Sequence, residues 1–92
     1  MNKNTNPLKD YIYVKIKKDS DTYFIACDKK DPVQGLKARL FSMIKTAGKL
    51  PKDAEDFEAK DILLYIKDRS LEDHSSCYDQ QVVNNCVLHM DY

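Results

Sequence analysis

The spacing of apolar residues changes period partway along the chain, and the change predicts its elements. In Tyr11-Ile12-Tyr13-Val14-Lys15-Ile16-Lys17, aliphatic residues alternate with polar or aromatic ones. A period of two predicts a strand with Ile12, Val14 and Ile16 on one face and Tyr11, Tyr13, Lys15 and Lys17 on the other. Asp19-Ser20-Asp21 breaks the run, and Tyr23-Phe24-Ile25-Ala26-Cys27 resumes it. In this second strand Tyr23, Ile25 and Cys27 share one face, Phe24 and Ala26 the other. The short polar break suits an antiparallel hairpin. The spacing then lengthens. Val33, Leu36, Leu40, Met43, Ile44 and Ala47 fall in one stripe at helical spacing. Asp31 is the expected N-cap and Pro32 the expected first helical residue. Gly35 lies opposite the stripe, Gly48 is the expected stop in the left-handed conformation, and Pro51 prevents resumption.

The second half is read more coarsely. Lys52 to Asp61 is charged and predicts a solvated loop or one short helical turn. Ile62-Leu63-Leu64-Tyr65-Ile66 predicts a strand, ended by Lys67-Asp68-Arg69-Ser70. Leu71 to Val82 is irregular, with Leu71, Cys77, Tyr78 and Val82 as the expected buried pegs. Val87-Leu88-His89-Met90 predicts the last strand, with Leu88 and Met90 inward. A hairpin followed at once by an amphipathic helix needs the C-terminal strand beside the first one, parallel to it, in the middle of the sheet. The expected architecture is two-layer α+β, a mixed sheet of 4–5 strands packed on one main α-helix: a β-grasp.

Ninety-two residues make one domain. Residues 1–9 form a polar tail, expected to be disordered, and 10–92 the domain. Fifteen basic residues balance fifteen acidic ones, so no global field draws the chain to nucleic acid or to an acidic membrane. No apolar run is long enough to span a bilayer, and the N-terminus lacks a hydrophobic signal region. Three cysteines, Cys27, Cys77 and Cys86, form no disulfide framework and read as reduced thiols of a nuclear or cytoplasmic protein.

Candidate chemistry is sparse. His74-x2-Cys77 and Cys86-x2-His89 have the ligand types of a tetrahedral zinc site. Strand alternation, however, puts Cys86 and His89 on opposite faces, and the reading taken is two core or boundary cysteines with two surface histidines. A nucleophilic Cys77–His74 pair would need an orienting group and an oxyanion loop, and the sequence offers neither. The acidic run Asp53, Glu55, Asp56 and Glu58 reads as a solvated face. Lys15, Lys17 and Lys18 read as protection of a sheet edge against strand-to-strand association. No P-loop or dinucleotide-type glycine pattern occurs. The expectation is a non-enzyme without cofactor, metal or small-molecule substrate. What remains is the outer face of the sheet, to which Tyr11, Tyr13, Phe24, Ala26, Leu63, Tyr65, Val87 and His89 are assigned. Apolar side chains from four adjacent strands would make one patch, and such a patch marks a protein partner.

Leu71-Glu72-Asp73, followed after a loop by Val87-Leu88-His89-Met90, resembles the end of ubiquitin, and Leu36-Lys37-Ala38-Arg39-Leu40 resembles its helix. The likeness runs over residues 11–92 apart from a longer connection at 49–61. Within ubiquitin-like proteins the chain is similar to elongin B through Val33-Gln34-Gly35-Leu36-Lys37, Met43-Ile44-Lys45, Tyr65-Ile66-Lys67-Asp68 and Leu71-Glu72-Asp73. The resemblance implies a non-catalytic adaptor of the nucleus and cytoplasm. It would bind an elongin C homologue, and through it SOCS-box proteins and a cullin ubiquitin ligase, or serve a transcription-elongation complex. The alternative is another ubiquitin-like modifier or regulatory domain with a different protein partner. The sequence carries no long C-terminal tail like that of elongin B, so no partner contact by such a tail is expected, and no Gly-Gly after Tyr92, which argues against conjugation. Tyr65 and Asp91 stand where ubiquitin's surface patch has isoleucine and valine, which implies no binding by ordinary ubiquitin receptors. The resemblance also implies a structural ion pair between Lys37 on the helix and Asp73.

Overall fold

In the computed structural model, residues 11–52 and 55–92 are described. The tail expected over residues 1–9, and Asp53 of the acidic run, lie outside the described residues. Strands β1 (Tyr11–Lys18) and β2 (Asp21–Asp28) form the hairpin, joined by a turn in which Asp19 takes φ 54°. Aspartate tolerates that left-handed conformation because its short side chain is polar. Helix α1 follows (Val33–Thr46), then β3 (Leu63–Ile66), β4 (Arg69–Ser70) and β5 (Cys86–Asp91). The sheet order is β2-β1-β5-β3-β4. β5 runs parallel to β1 and antiparallel to β3, so the C-terminal strand is central, as the pattern requires.

The inner face of this sheet packs on α1. Ile12, Val14 and Ile16 of β1 meet Tyr23, Ile25 and Cys27 of β2, Leu64 of β3, and Leu88 and Met90 of β5, under Val33, Leu36, Leu40 and Ile44 of the helix. Leu71, Cys77 and Val82 close the end.

The helix start differs from expectation. Pro32 is the N-cap, extended at ψ 156°, and no side chain caps the helix. The first amide groups are satisfied from elsewhere: Val33 N–H donates to the Ser75 carbonyl (3.1 Å), Gln34 N–H to that of Asp73 (3.0 Å) and Gly35 N–H to that of Pro32 (3.0 Å). The Asp31 carbonyl accepts Cys77 N–H at 3.0 Å, so the 73–77 segment is stitched across the helix end and replaces a side-chain cap. At the other end Gly48 has φ 72°, its N–H donates to the Lys45 carbonyl and Lys49 N–H to that of Ile44 (2.8 Å). This paired reach back into the last turn is a Schellman ending, and glycine supplies the left-handed residue without a Cβ clash.

Gly35 has no such requirement. Its backbone is helical, and a Cβ there would meet nothing within 4 Å. Gly35→Ala is expected to stabilise the domain by about 0.5–1 kcal/mol, read as a rise in melting temperature of roughly 3–6 °C. An unchanged or lower value would contradict this account of the position.

Three further features depart from the sequence reading. The 52–61 connection is not wholly solvated: Phe57 stacks on Phe41 (centroids 6.0 Å apart) and meets the edge of Tyr92 (5.1 Å). The one short helical turn that the reading allowed here is present as a 3-10 turn, Ala59–Asp61, closed by Glu58 N–H donating to Asp61 Oδ2 at 2.8 Å. Lys67, at φ 56°, reverses the chain, so Arg69 and Ser70 add a fifth strand instead of merely ending the third. Tyr78, expected as a buried peg, is 63% exposed and lies under the Lys29 ammonium, 5.4 Å from the ring centroid. Its place inside is taken by Gln80. That buried amide accepts Glu72 N–H at 2.6 Å and donates to the carbonyls of Glu72 (2.8 Å) and Ser75 (3.2 Å), pairing polar groups that burial would otherwise strand.

Candidate protein-interaction surface

With the inner face consumed by the helix, the outer face is the surface left for function. Strand pairing sets its layout. One row crosses all five strands: Thr22, Lys17, His89, Tyr65 and Ser70 lie side by side. The next row holds Phe24, Lys15 and Val87, and beyond it Tyr13 faces Ala26. Leu63 sits beside Asp91 at one corner and Tyr11 beside Asp28 at the opposite one. Phe24 is 67% exposed, Tyr13 54% and Leu63 45%; Val87, His89 and Tyr11 are also exposed, and Tyr65 is half-buried.

All eight sequence-assigned residues therefore lie on this face, but not as one apolar patch. Lys15 stands between Phe24 and Val87, and Lys17 between Thr22 and His89. Both lysines are exposed. Strand parity alone placed them here, and the reading of them as edge protection fails because β1 is an interior strand, flanked by β2 and β5. The open edge is guarded differently. Tyr13 N–H donates to Asn84 Oδ1 and its carbonyl accepts Asn85 N–H, so Tyr13 points its backbone away from β2. Its partner Ala26 consequently turns its own carbonyl outward, away from the sheet. Arg39 of α1 donates to that carbonyl and occupies the edge.

The ion-pair residues meet: Lys37 Nζ lies 2.6 Å from Asp73 Oδ1. Lys37 is only 4% exposed while the Asp73 side chain is 31% exposed. The same Asp73 supplies the backbone carbonyl that receives Gln34 N–H. The pair therefore fastens the 73–77 segment to the helix by both side chain and main chain.

The candidate zinc ligands are dispersed between faces. Cys86 pairs in register with inward-facing Val14 whereas His89 is on the outer face, and Cys77 is fully buried while His74 is exposed. Among the described residues no group of three or more His, Cys, Asp or Glu side chains is placed to hold a metal ion. Cys77 is engaged with Cys27 instead, a contact that the sequence reading missed because fifty residues separate the two. Their hydrogen bond holds the Cys27 thiol below its ordinary value and, reinforced by burial, pushes the Cys77 thiol up. A thiol that keeps its proton so firmly is a poor nucleophile. Two open hollows of about 390 and 380 Å³ indent the surface, and neither brings a cysteine or histidine to its walls. No helix among the described residues is long and apolar enough to cross a membrane.

The central parallel strand, the crossing helix and the free outer face define a ubiquitin-like β-grasp domain of the α+β class. Solved structures share this fold. The ubiquitin-like domain of the Arabidopsis thaliana protein At2g32350, determined in solution, superposes with a TM-score of 0.70 at 15% identity, over 99% of this chain and 86% of that one. A second determination of the same protein gives 0.69 at 17% identity, over 89% and 86%. The N-terminal ubiquitin-like domain of the 4931431F19Rik protein gives 0.67 at 15% identity, over 95% of this chain and 79% of that one. No family model matches the chain, and no curated protein is similar to it in sequence.

Proposed function

We propose that the protein is a non-catalytic ubiquitin-like adaptor of the nucleus and cytoplasm that works by burying its outer sheet face against a protein partner. The observation that carries this reading is the exposure of Phe24, Tyr13, Leu63 and Val87 on the sheet face that none of the described elements covers. Large apolar side chains grouped in this way mark an interface, and aromatic residues supply much of the binding energy at interface centres. The finer form of the proposal is an elongin B-like subunit. It would bind an elongin C homologue and, through it, SOCS-box proteins and a cullin ubiquitin ligase or a transcription-elongation complex. The support for it is the likeness of Val33-Gln34-Gly35-Leu36-Lys37, Tyr65-Ile66-Lys67-Asp68 and Leu71-Glu72-Asp73 to that protein. No nucleic acid, membrane, cofactor or small-molecule substrate enters this function.

The test is direct binding to an elongin C homologue from the same source, by calorimetry. Phe24→Glu and Tyr65→Glu are each expected to weaken it by about 30-fold or more, since a hot-spot truncation costs on the order of 2 kcal/mol. Unaltered affinity in both variants, with the fold intact by circular dichroism, would remove this face from the interface.

A further inference from the structure

Among the described residues Lys15 and Lys17, in the middle of the sheet, have no ion-pair partner. Their cross-strand neighbours are Phe24, Val87, Thr22 and His89, none of them acidic. The acids of this face are at its corners, where Asp28 Oδ1 accepts Lys30 N–H and Asp91 Oδ1 accepts Tyr92 N–H. Lys18, Lys37, Lys49 and Lys60, by contrast, each meet a carboxylate. Protection of an edge does not account for them, because β1 has a strand on each side. A stabilised sheet would set opposite charges across from such lysines.

We infer that the protein partner of this face presents two neighbouring carboxylates with apolar side chains around them. The carboxylates meet Lys15 and Lys17, and the apolar groups meet Phe24 and Tyr13 on one side and Val87 and Tyr65 on the other. This rests on the outer face being the interface. The geometry suits a helix. Residues i and i+2 of a strand are about 6.7 Å apart, and residues i and i+4 of a helix rise about 6 Å, so two glutamates one turn apart reach both ammonium groups. The inner face already carries a helix, held there by apolar contacts. A second copy of the chain is disfavoured, since stacking two such faces would oppose like charges. Single-stranded nucleic acid is disfavoured too: the chain is neutral overall, with 15 charges of each sign, and two lysines make a short phosphate track.

The experiment uses the isotope-labelled full chain and three synthetic 18-residue amphipathic helices. They share leucine and phenylalanine flanks and differ only at positions i and i+4, which carry Glu, Gln or Lys. The Glu peptide is expected to shift the amide signals of Lys15, Lys17, Phe24, Val87 and Tyr65, and to bind about tenfold more tightly than the Gln peptide, with the Lys peptide weakest. The double variant Lys15→Gln, Lys17→Gln is expected to erase the preference, so that the Glu and Gln peptides bind alike. Equal binding of the Glu and Gln peptides at these amides would overturn the acidic partner and leave the interface standing. Shifts confined to other residues, or none with any peptide, would overturn both. Tighter binding of a ten-residue oligouridylate at this face, or self-association on it by sedimentation, would replace the inferred partner by nucleic acid or by a second copy.

Discussion

Leu40→Ala is expected to remove about 3–4 kcal/mol of stability, the loss of buried methyl groups plus the cavity they leave. Leu40 is fully buried at the centre of the α1 stripe, among Val33, Leu36 and Ile44. A chain of 92 residues has roughly 5–14 kcal/mol in all, so this one truncation takes a large share. The measurement is equilibrium unfolding in guanidinium chloride, with an unchanged slope and a lower midpoint. A loss below about 1 kcal/mol would mean that the helix–sheet layer collapses around the hole and is not rigidly packed.

The second large effect is at the Lys37–Asp73 pair, and it is asymmetric. Lys37 is almost entirely out of water, whereas Asp73 keeps contact with it. Asp73→Ala strands a buried ammonium, and the expected cost is about 2–3 kcal/mol, the lower end for a broken buried pair because water reaches one partner. The corresponding fall in melting temperature is roughly 10–20 °C. Lys37→Met fills the same channel with an apolar chain and leaves an aspartate that solvent can accommodate, so its effect is expected to stay within about 1 kcal/mol. Thermal denaturation of the two variants side by side reads the difference. A Lys37→Met variant that melts with or above the parent, while Asp73→Ala melts far below, would show that the pair is not itself a structural requirement and that only its halves are costly to separate. Equal losses in both would contradict the assigned asymmetry.

How much of this was legible in the sequence follows from the range of the interactions involved. The hairpin, the helix stripe and the placement of Leu88 and Met90 inward depend on periodicity within one element, and a window of a few residues contains it. Lys37 and Asp73 come together where the ubiquitin-like pattern put them. The misread positions depend on what arrives from far along the chain. Asp31 had the right chemistry for a cap, but the Ser75 and Asp73 carbonyls reached the helix end first. Phe57 lay in a charged run, and only the proximity of Phe41 and Tyr92 makes it a packing residue. Tyr78 and Gln80 exchange the roles that their hydropathy suggests, because a left-handed Gln81 turns the chain and the buried amide finds three backbone partners. The outer face was assigned correctly by parity, yet its lysines were set apart from its aromatics. The expected topology already made β1 interior, against the edge reading of its lysines, and the register shows that Lys15 and Lys17 divide the patch.

The position of β5 has a consequence for synthesis. The strand completing the sheet interior is also the last of the five to be made, and the carbonyls that finish the start of α1 come from residues 73 and 75. While the first half of the chain leaves a ribosome, the hairpin and helix must wait with one side of β1 bare, so the domain acquires its cooperative stability only once β5 has emerged. A stalled or truncated product lacking residues 86–91 would present to the cell an unpaired strand of alternating aliphatic residues, which is a substrate for chaperones and for quality-control degradation.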